Sequence, residues 1–229
     1  MKGIKSRTNA RRMLCVALLM VLTLICSDLS MAADIELGFD RGAEGTGIFS
    51  PWTLKVKTGK ADVKLESEDG ERILFLKCKD SSFSLERSIA VNIHEYPYLM
   101  WDWKVLEFPV HGDVRRRNLN DQALQLLVLF ENGKVISYIW DSNAPEGTVR
   151  DESIPWPINI PIKVIVVKSG FSDKAKWVRL DRDIYQDYVL LYHEKPPPVR
   201  GLRIQSNTQY TKDTAAGLVG DIIFSSTRL

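Results

Sequence analysis

Four groups of side chains in this 229-residue chain have the types and spacing to do chemistry. Trp101 and Trp103 are two residues apart, so on a strand both rings point to one face. On a wet, concave face they make a stacking platform for sugar rings; on an interior face they are core. Arg115, Arg116 and Arg117 form a run after His111-Gly112-Asp113. Such a run is a solvated loop or, because guanidinium forks match paired oxygens, a clamp for an anionic ligand such as a phosphorylated or uronic-acid glycan. The acids Asp181, Asp183 and Asp187 form the third group. Asp183 and Asp187 would share a helix face, and a solvated face is the simpler reading. A glycosidase needs two carboxylates about 5–9.5 Å apart across a cleft, and Asp102, Asp121 or Asp183 would have to supply them. Asp121 also joins the tryptophans and arginines as a candidate ligand contact. The fourth group is Asp40 with Asp221, an early loop and a late strand that a sandwich could bring together around a structural Ca²⁺. Two carboxylates fall short of the six to eight oxygens such an ion takes.

Other chemistry is not encoded in recognisable form. There is no H-E-x-x-H, no G-x-S-x-G and no phosphate-binding P-loop. The three histidines, His94, His111 and His193, have no metal-ligand spacing. Gly42-Ala43-Glu44-Gly45-Thr46-Gly47 precedes strand-like sequence rather than a helix, so it is a flexible loop and not a phosphate cradle. Cys78 sits in the apolar run Ile73 to Cys78 and reads as a buried, inert thiol. No cofactor is expected beyond that weakly supported calcium.

The elements that must position these residues are mostly strands. Trp52 to Val56, Val63 to Glu66, Phe83 to Glu86, Leu99 to Val105 and Leu202 to Gln205 alternate apolar and polar, the period of a half-buried strand. Leu124 to Phe130 is more continuous, like a central strand covered on both faces. Glu131-Asn132-Gly133-Lys134 is a hairpin turn into Val135 to Trp140. With Ile162 to Val167 and Leu218 to Phe224 the count is about ten, which predicts a sandwich or barrel. One segment, Asp181 to Tyr192, has helical spacing at Ile184, Tyr188, Leu191 and Tyr192. Asp181 is its expected cap, Asp183 lies in the first turn, and Pro196-Pro197-Pro198 ends it. Residues 141–161 are expected to be a long ordered loop.

Residues 1–32 have a different character. Lys2, Lys5, Arg7, Arg11 and Arg12 precede a twelve-residue run, Leu14 to Ile25, broken only by Thr23, and Ser30-Met31-Ala32 offers small residues for a cut. That order predicts a secretory signal peptide, with an uncleaved membrane anchor as the alternative. Without those residues 26 basic side chains face 28 acidic ones, so the net charge moves from +2 to −2. Cys15 and Cys26 leave as well, and Cys78 has no partner for a disulfide. A near-neutral chain with 45% hydrophobic and 26% charged residues is an ordinary globular composition, without the basic face that a nucleic-acid partner needs. Residues 33–229 are therefore expected to be a single β-sandwich domain, monomeric, periplasmic or secreted, with no membrane span.

The order of several short motifs resembles a known family. Trp101-Asp102-Trp103-Lys104, Asn120-Asp121-Gln122-Ala123, Tyr138-Ile139-Trp140 and Lys168-Ser169-Gly170 are followed by Trp177, by Arg182-Asp183-Ile184-Tyr185-Gln186-Asp187-Tyr188 and by Gly220-Asp221-Ile222-Ile223-Phe224. Together they resemble a bacterial secreted family known as a domain of unknown function, three-zero-four-seven in that series. It is similar to galactose-binding-like jelly-roll sandwiches, which include carbohydrate-binding modules. The resemblance implies a mostly β jelly roll with one short helix and no activity to transfer. It also implies acids where this chain has Asn120, Asn207 and Gln209, and an arginine where it has Gln125. A site built on those charges would be altered here. The expected function is a non-catalytic sandwich binding a glycan or envelope component. The alternatives are a carbohydrate-active hydrolase and an envelope assembly protein that docks through an edge strand or the Pro155-Trp156-Pro157 loop.

Overall fold

Period-two alternation organises the protein, because each strand sends every second side chain to one shared interior. The structure is a computed structural model, and it describes residues 33–39, 51–154 and 157–228. The strands run β1 (Ile35–Glu36), β2 (Thr53–Thr58), β3 (Asp62–Glu68), β4 (Glu71–Lys79), β5 (Ser82–Val91), β6 (Tyr98–Glu107), β7 (Gln125–Phe130), β8 (Val135–Asp141), β9 (Val149–Asp151), β10 (Ile162–Ser169) and β11 (Val178–Asp183). Helix α1 (Ile184–Tyr192) follows, then β12 (Val199–Asn207) and β13 (Thr214–Ser225). One sheet has the order β11-β6-β13-β4-β3, with β1 beside β13; the other is seven-stranded, β2-β5-β12-β7-β8-β10-β9. The two sheets form a mostly β, jelly-roll-like sandwich. Among the described residues no helix is long and apolar enough to cross a membrane.

An aromatic block fills the centre between the sheets. Trp101 and Trp103 of β6 are each 1% exposed. Their centroids lie 5.4 Å apart in a T-shaped pair, and they reach across to Tyr138 and Trp140 of β8 at 5.4 and 6.1 Å. The stacking-platform expectation for Trp101 and Trp103 is therefore corrected. Spacing of two guarantees that the rings share a face, and the pairing of β6 between β11 and β13 makes that face the interior. Their polar neighbours Asp102 and Lys104 take the outer face instead. Cys78 is also interior, with its Sγ 3.0 Å from both the carbonyl oxygen and the hydroxyl of Ser81.

Local signals are mostly realised, with shifted details. The β7–β8 turn is a type I turn closed by Gly133 at φ +84°, whose N–H donates to Phe130 O at 3.0 Å. The helix is capped by Asp183, not Asp181: Gln186 N–H donates to Asp183 Oδ1 at 2.9 Å. Asp181 pairs with Met100 as part of β11, and that pairing outweighs capping. The helix ends at His193 in the left-handed region, φ +57°, before the prolines are reached. The 141–161 loop contains strand β9 and a bridge between Ile154 and Ile160.

Under the helix lies a buried polar cluster. Arg182 forks onto Asp187, with Nε donating to Oδ2 at 2.9 Å, and the Tyr138 hydroxyl donates to the same oxygen at 2.7 Å. Burial and the Asp187 carboxylate push the Tyr138 phenol well above its usual value. The cluster ties α1 to β8 in the opposite sheet. Two stability predictions follow from this packing, both read by urea denaturation. Trp101→Ala should cost about 3–5 kcal/mol. Arg182→Met, which strands a buried carboxylate, should cost about 3 kcal/mol. A loss below 1 kcal/mol in either variant, on the order of a surface change, would contradict the packing described.

Candidate functional site

The same alternation that fills the core builds a second surface on the outer face of the seven-stranded sheet. There Arg203 and Gln205 of β12, Gln125 and Leu127 of β7, Ser137 and Ile139 of β8 and Val164 of β10 point away from the core between the sheets, and Ile139 and Val164 pack in a second, smaller buried cluster with Val114, Ala144 and Val166. Strand register aligns them in two rungs. Arg203 stands opposite Leu127, Leu127 opposite Ser137, Ser137 opposite Val164, and Val164 opposite Arg150 of β9. Beside that rung, Gln205 faces Gln125, which faces Ile139. Loop residues including Arg117, Glu152 and Tyr210 wall the rungs into a groove of about 640 Å³.

Amides dominate one end. Asn120, Gln122, Gln125, Gln205, Asn207 and Gln209 all line it. Asn207 is the hub. Its Oδ1 accepts from Gln125 Nε2 at 2.6 Å, and its Nδ2 donates to Asn120 O and Asp121 Oδ1 at 2.9 and 2.7 Å. That spends the Gln125 nitrogen internally and leaves its carbonyl oxygen for the groove. Three buried polar atoms on groove residues have no partner among the described residues: Ser137 Oγ, Arg203 Nε and Gln209 Oε1. Five further atoms of this kind among the described residues lie away from the groove.

The charge in the groove is uneven. Lys57, Arg117, Arg150 and Arg203 face two acids, Asp151 and Glu152. Asp151 is engaged by Lys163 at 2.7 Å, and that bond together with Ser153 lowers its carboxyl to about 2. Burial pushes the Glu152 carboxyl up, opposed by Arg150 and Arg117.

The structure separates the residues that sequence reasoning had grouped. Of the arginine run, Arg117 alone lines the groove. Arg115 forks onto Asp113, with Nε and Nη2 both at 2.8 Å, so it is occupied as a structural clamp, and Arg116 lies 3.8 Å from the same acid. The joint anion clamp is thus corrected to one arginine, because the turn that begins the short 3-10 segment at Arg117 divides the run. Asp121 is buried and fully used. Its Oδ2 accepts from the backbone N–H groups of Tyr210 and Thr211 and from the Thr211 hydroxyl, at 2.6–2.9 Å. It holds the 207–213 loop at the groove end rather than meeting a ligand.

The remaining acids lie elsewhere. Asp183 caps α1, and Asp102 lies on the outer face of the other sheet, so Asp102, Asp121 and Asp183 share no cleft. Asp221 is exposed on a bulge, where Gly220 and Asp221 together oppose Asp102. It lines a smaller pocket of about 260 Å³ with Glu68, Asp102 and Trp177. Burial pushes the Asp102 carboxyl up, Arg179 opposes this, and Asp221 adds to it. Among the described residues no three His, Cys, Asp or Glu side chains stand together as a metal site. Asp40, residues 1–32, the Gly42 to Gly47 segment and Pro155-Trp156 lie outside the described residues. The four positions where the family resemblance implied charged side chains, Asn120, Gln125, Asn207 and Gln209, do come together, at the amide end of the groove. Ser137, Arg150, Arg203 and Gln205 were missed. For Ser137, Arg203 and Gln205 the signal was present as polar residues at alternate strand positions; Arg150, in the short exposed strand β9, carried none.

These features define a two-sheet β-sandwich with a polar, cation-lined groove across one outer sheet face. Residues 49–223 match the family described as "Protein of unknown function (DUF3047)", and the chain belongs to that family. No curated protein sequence matches the chain. Among solved structures it is similar to the family 11 carbohydrate-binding module of a cellulosomal cellulase from Clostridium thermocellum, with 10% identity, TM-score 0.44, and 86% of this chain and 97% of that one covered. It is also similar to the xyloglucanase domain of NopAA from Sinorhizobium fredii, solved with cellobiose, with 11% identity, TM-score 0.48, and 86% and 99% covered.

Two predictions test the supports of the groove. Asp121→Asn should cost about 1–3 kcal/mol, because the amide cannot accept from all four donors; an unchanged urea midpoint would contradict it. The Arg115 fork holds Asp113 below the usual carboxylate range. Its stabilisation is therefore present above about pH 4 and is lost as pH falls through the depressed value. Arg115→Gln should lower the urea midpoint near pH 6, and the two proteins should converge in acid. A gap that persists or widens below pH 3, well under the ordinary carboxylate value, would overturn this assignment.

Proposed function

We propose that this protein is an exported, non-catalytic β-sandwich that binds an oligosaccharide in the groove on its seven-stranded sheet. The observation that carries the reading is the pair of adjoining rungs. Gln205 offers an amide that both donates and accepts and Gln125 its carbonyl oxygen, beside a floor that includes Leu127 and Val164. Sugar rings present that same mixture, hydroxyls around the rim and C–H faces between them. A binding role rather than hydrolysis is supported by the state of the nearby acids. Asp121 is spent on the 207–213 loop and Asp151 on Lys163, and among the described residues lining the groove no further carboxylate accompanies Glu152. Export rests on the N-terminal pattern of a basic head, an apolar run and small residues before Ala33.

Glycan-array screening followed by calorimetry tests this. Gln205→Ala should weaken binding of any ligand found by about tenfold, the worth of one or two hydrogen bonds, with an unchanged denaturation midpoint. Trp103→Phe, a change in the core, should leave affinity unaltered. No ligand across neutral and acidic panels, or affinity indifferent to Gln205, would defeat the proposal. Export predicts a protein recovered outside the cytoplasm whose intact mass corresponds to a start at Ala33; a full-length product there would point to a retained anchor.

A further inference from the structure

Resting on that reading of the groove, we propose that its ligand is an acidic oligosaccharide, with uronate carboxylates held by Arg203 and Arg150 at opposite ends of one rung. The rung crosses β12, β7, β8, β10 and β9 as Arg203, Leu127, Ser137, Val164 and Arg150. Four strand spacings separate its ends by roughly 19 Å, the scale of a short oligosaccharide rather than a single sugar.

The cations at the ends are available. Arg203 is anchored to Glu86 by one nitrogen, Nη2 at 2.7 Å, while its buried Nε has no partner. That ion pair holds the guanidinium in place at the groove, with its side chain 32% exposed. Among the described residues Arg150 and Arg117 form no close ion pair, though both act at longer range on the Glu152 carboxyl. Asp151, the acid next to Arg150 in sequence, is turned to Lys163 instead. Without residues 1–32 the chain carries a net charge of −2, yet the groove holds four cations against two acids. The local excess is opposite in sign to the chain as a whole. It attracts anions and strengthens where water is displaced.

The middle of the rung indicates which kind of anion. Leu127 and Val164 flank Ser137, which is 2% exposed and whose hydroxyl is unpartnered. A ligand charged at every unit would place anions over these apolar side chains without a counter-charge. A sugar chain with charges separated by neutral faces fits: a C–H face over Leu127 and Val164 and hydroxyls to the Gln205–Gln125 rung. A planar carboxylate suits the guanidinium forks at the ends.

The test is calorimetry with oligosaccharides in which galacturonate or glucuronate alternates with a neutral sugar, each compared with its carboxyl-reduced, neutral counterpart, and with a sulfated oligosaccharide and a polyphosphate of similar length. At least one uronate oligomer should bind about tenfold or more tightly than its reduced form, and the advantage should shrink as salt is raised toward 1 M. Arg150→Gln should remove about tenfold of affinity for the acidic form and leave the reduced form unchanged. Arg150 is exposed on an edge strand, so this variant should keep the wild-type denaturation midpoint; Arg203→Gln is the second variant. Equal binding of acidic and reduced forms, no effect of Arg150→Gln, or tighter binding of the sulfated chain or polyphosphate would overturn the inference. If neutral oligomers bind and Gln205→Ala weakens them while charge adds nothing, the groove remains a glycan site and only the acidic assignment fails. If neither acidic nor neutral oligomers bind, both readings fail.

Discussion

The contact between the two sheets, made by Trp101, Trp103, Tyr138 and Trp140, constrains everything else in the structure. Each of these rings removes a large apolar area from water, and each has a neighbouring ring within about 6 Å in edge or tilted geometry. Burying them requires β6 and β8 to present fixed faces to each other. Once those faces are chosen, period two leaves no freedom. Asp102 and Lys104 must go out on one sheet, and Ser137 and Ile139 must go out on the other. A slip of one residue in either strand would bring charge into the core and put the aromatics in water.

The helix closes one end under the same constraint. Its buried residues Ile184 and Tyr188 complete the core, and the Arg182–Asp187–Tyr138 cluster satisfies the polar groups that this packing buries. Tyr138 joins the two systems, with its ring in the aromatic block and its hydroxyl on Asp187. A charge pair in this position fixes how β11 runs into α1, since a displaced helix would leave the Asp187 carboxylate without its guanidinium.

The groove follows from the core as its reverse side. Its rungs are the outward positions of strands whose inward positions are Leu126, Ile136, Tyr138 and Ile204. The sheet therefore serves two purposes with one backbone, holding ligand-facing side chains on paired strands while loops supply the walls. Asp121 and Asn207 connect the two levels. They bind the 207–213 loop to the start of β7, and so set where the amide end of the groove closes.

Some of this was legible from the chain alone. The strand pattern, the turn at Asn132-Gly133 and the helical segment before the proline run depend on neighbours within a few residues, and local chemistry determines them. So does the change in character at residues 1–32, which altered the charge balance of the rest. What local sequence could not decide was which way a shared face points and which residues become neighbours. Spacing put Trp101 and Trp103 on one face but did not say that this face is interior. Whether Asp181 caps a helix or pairs in a strand depended on Met100, far away in the chain. The groove row takes one residue each from positions 127, 137, 150, 164 and 203, brought side by side only by strand pairing. The sequence determined the alternation and the local turns, because these are short-range properties of the backbone. Tertiary structure alone decided the site, because a row across five strands exists only once their register is set.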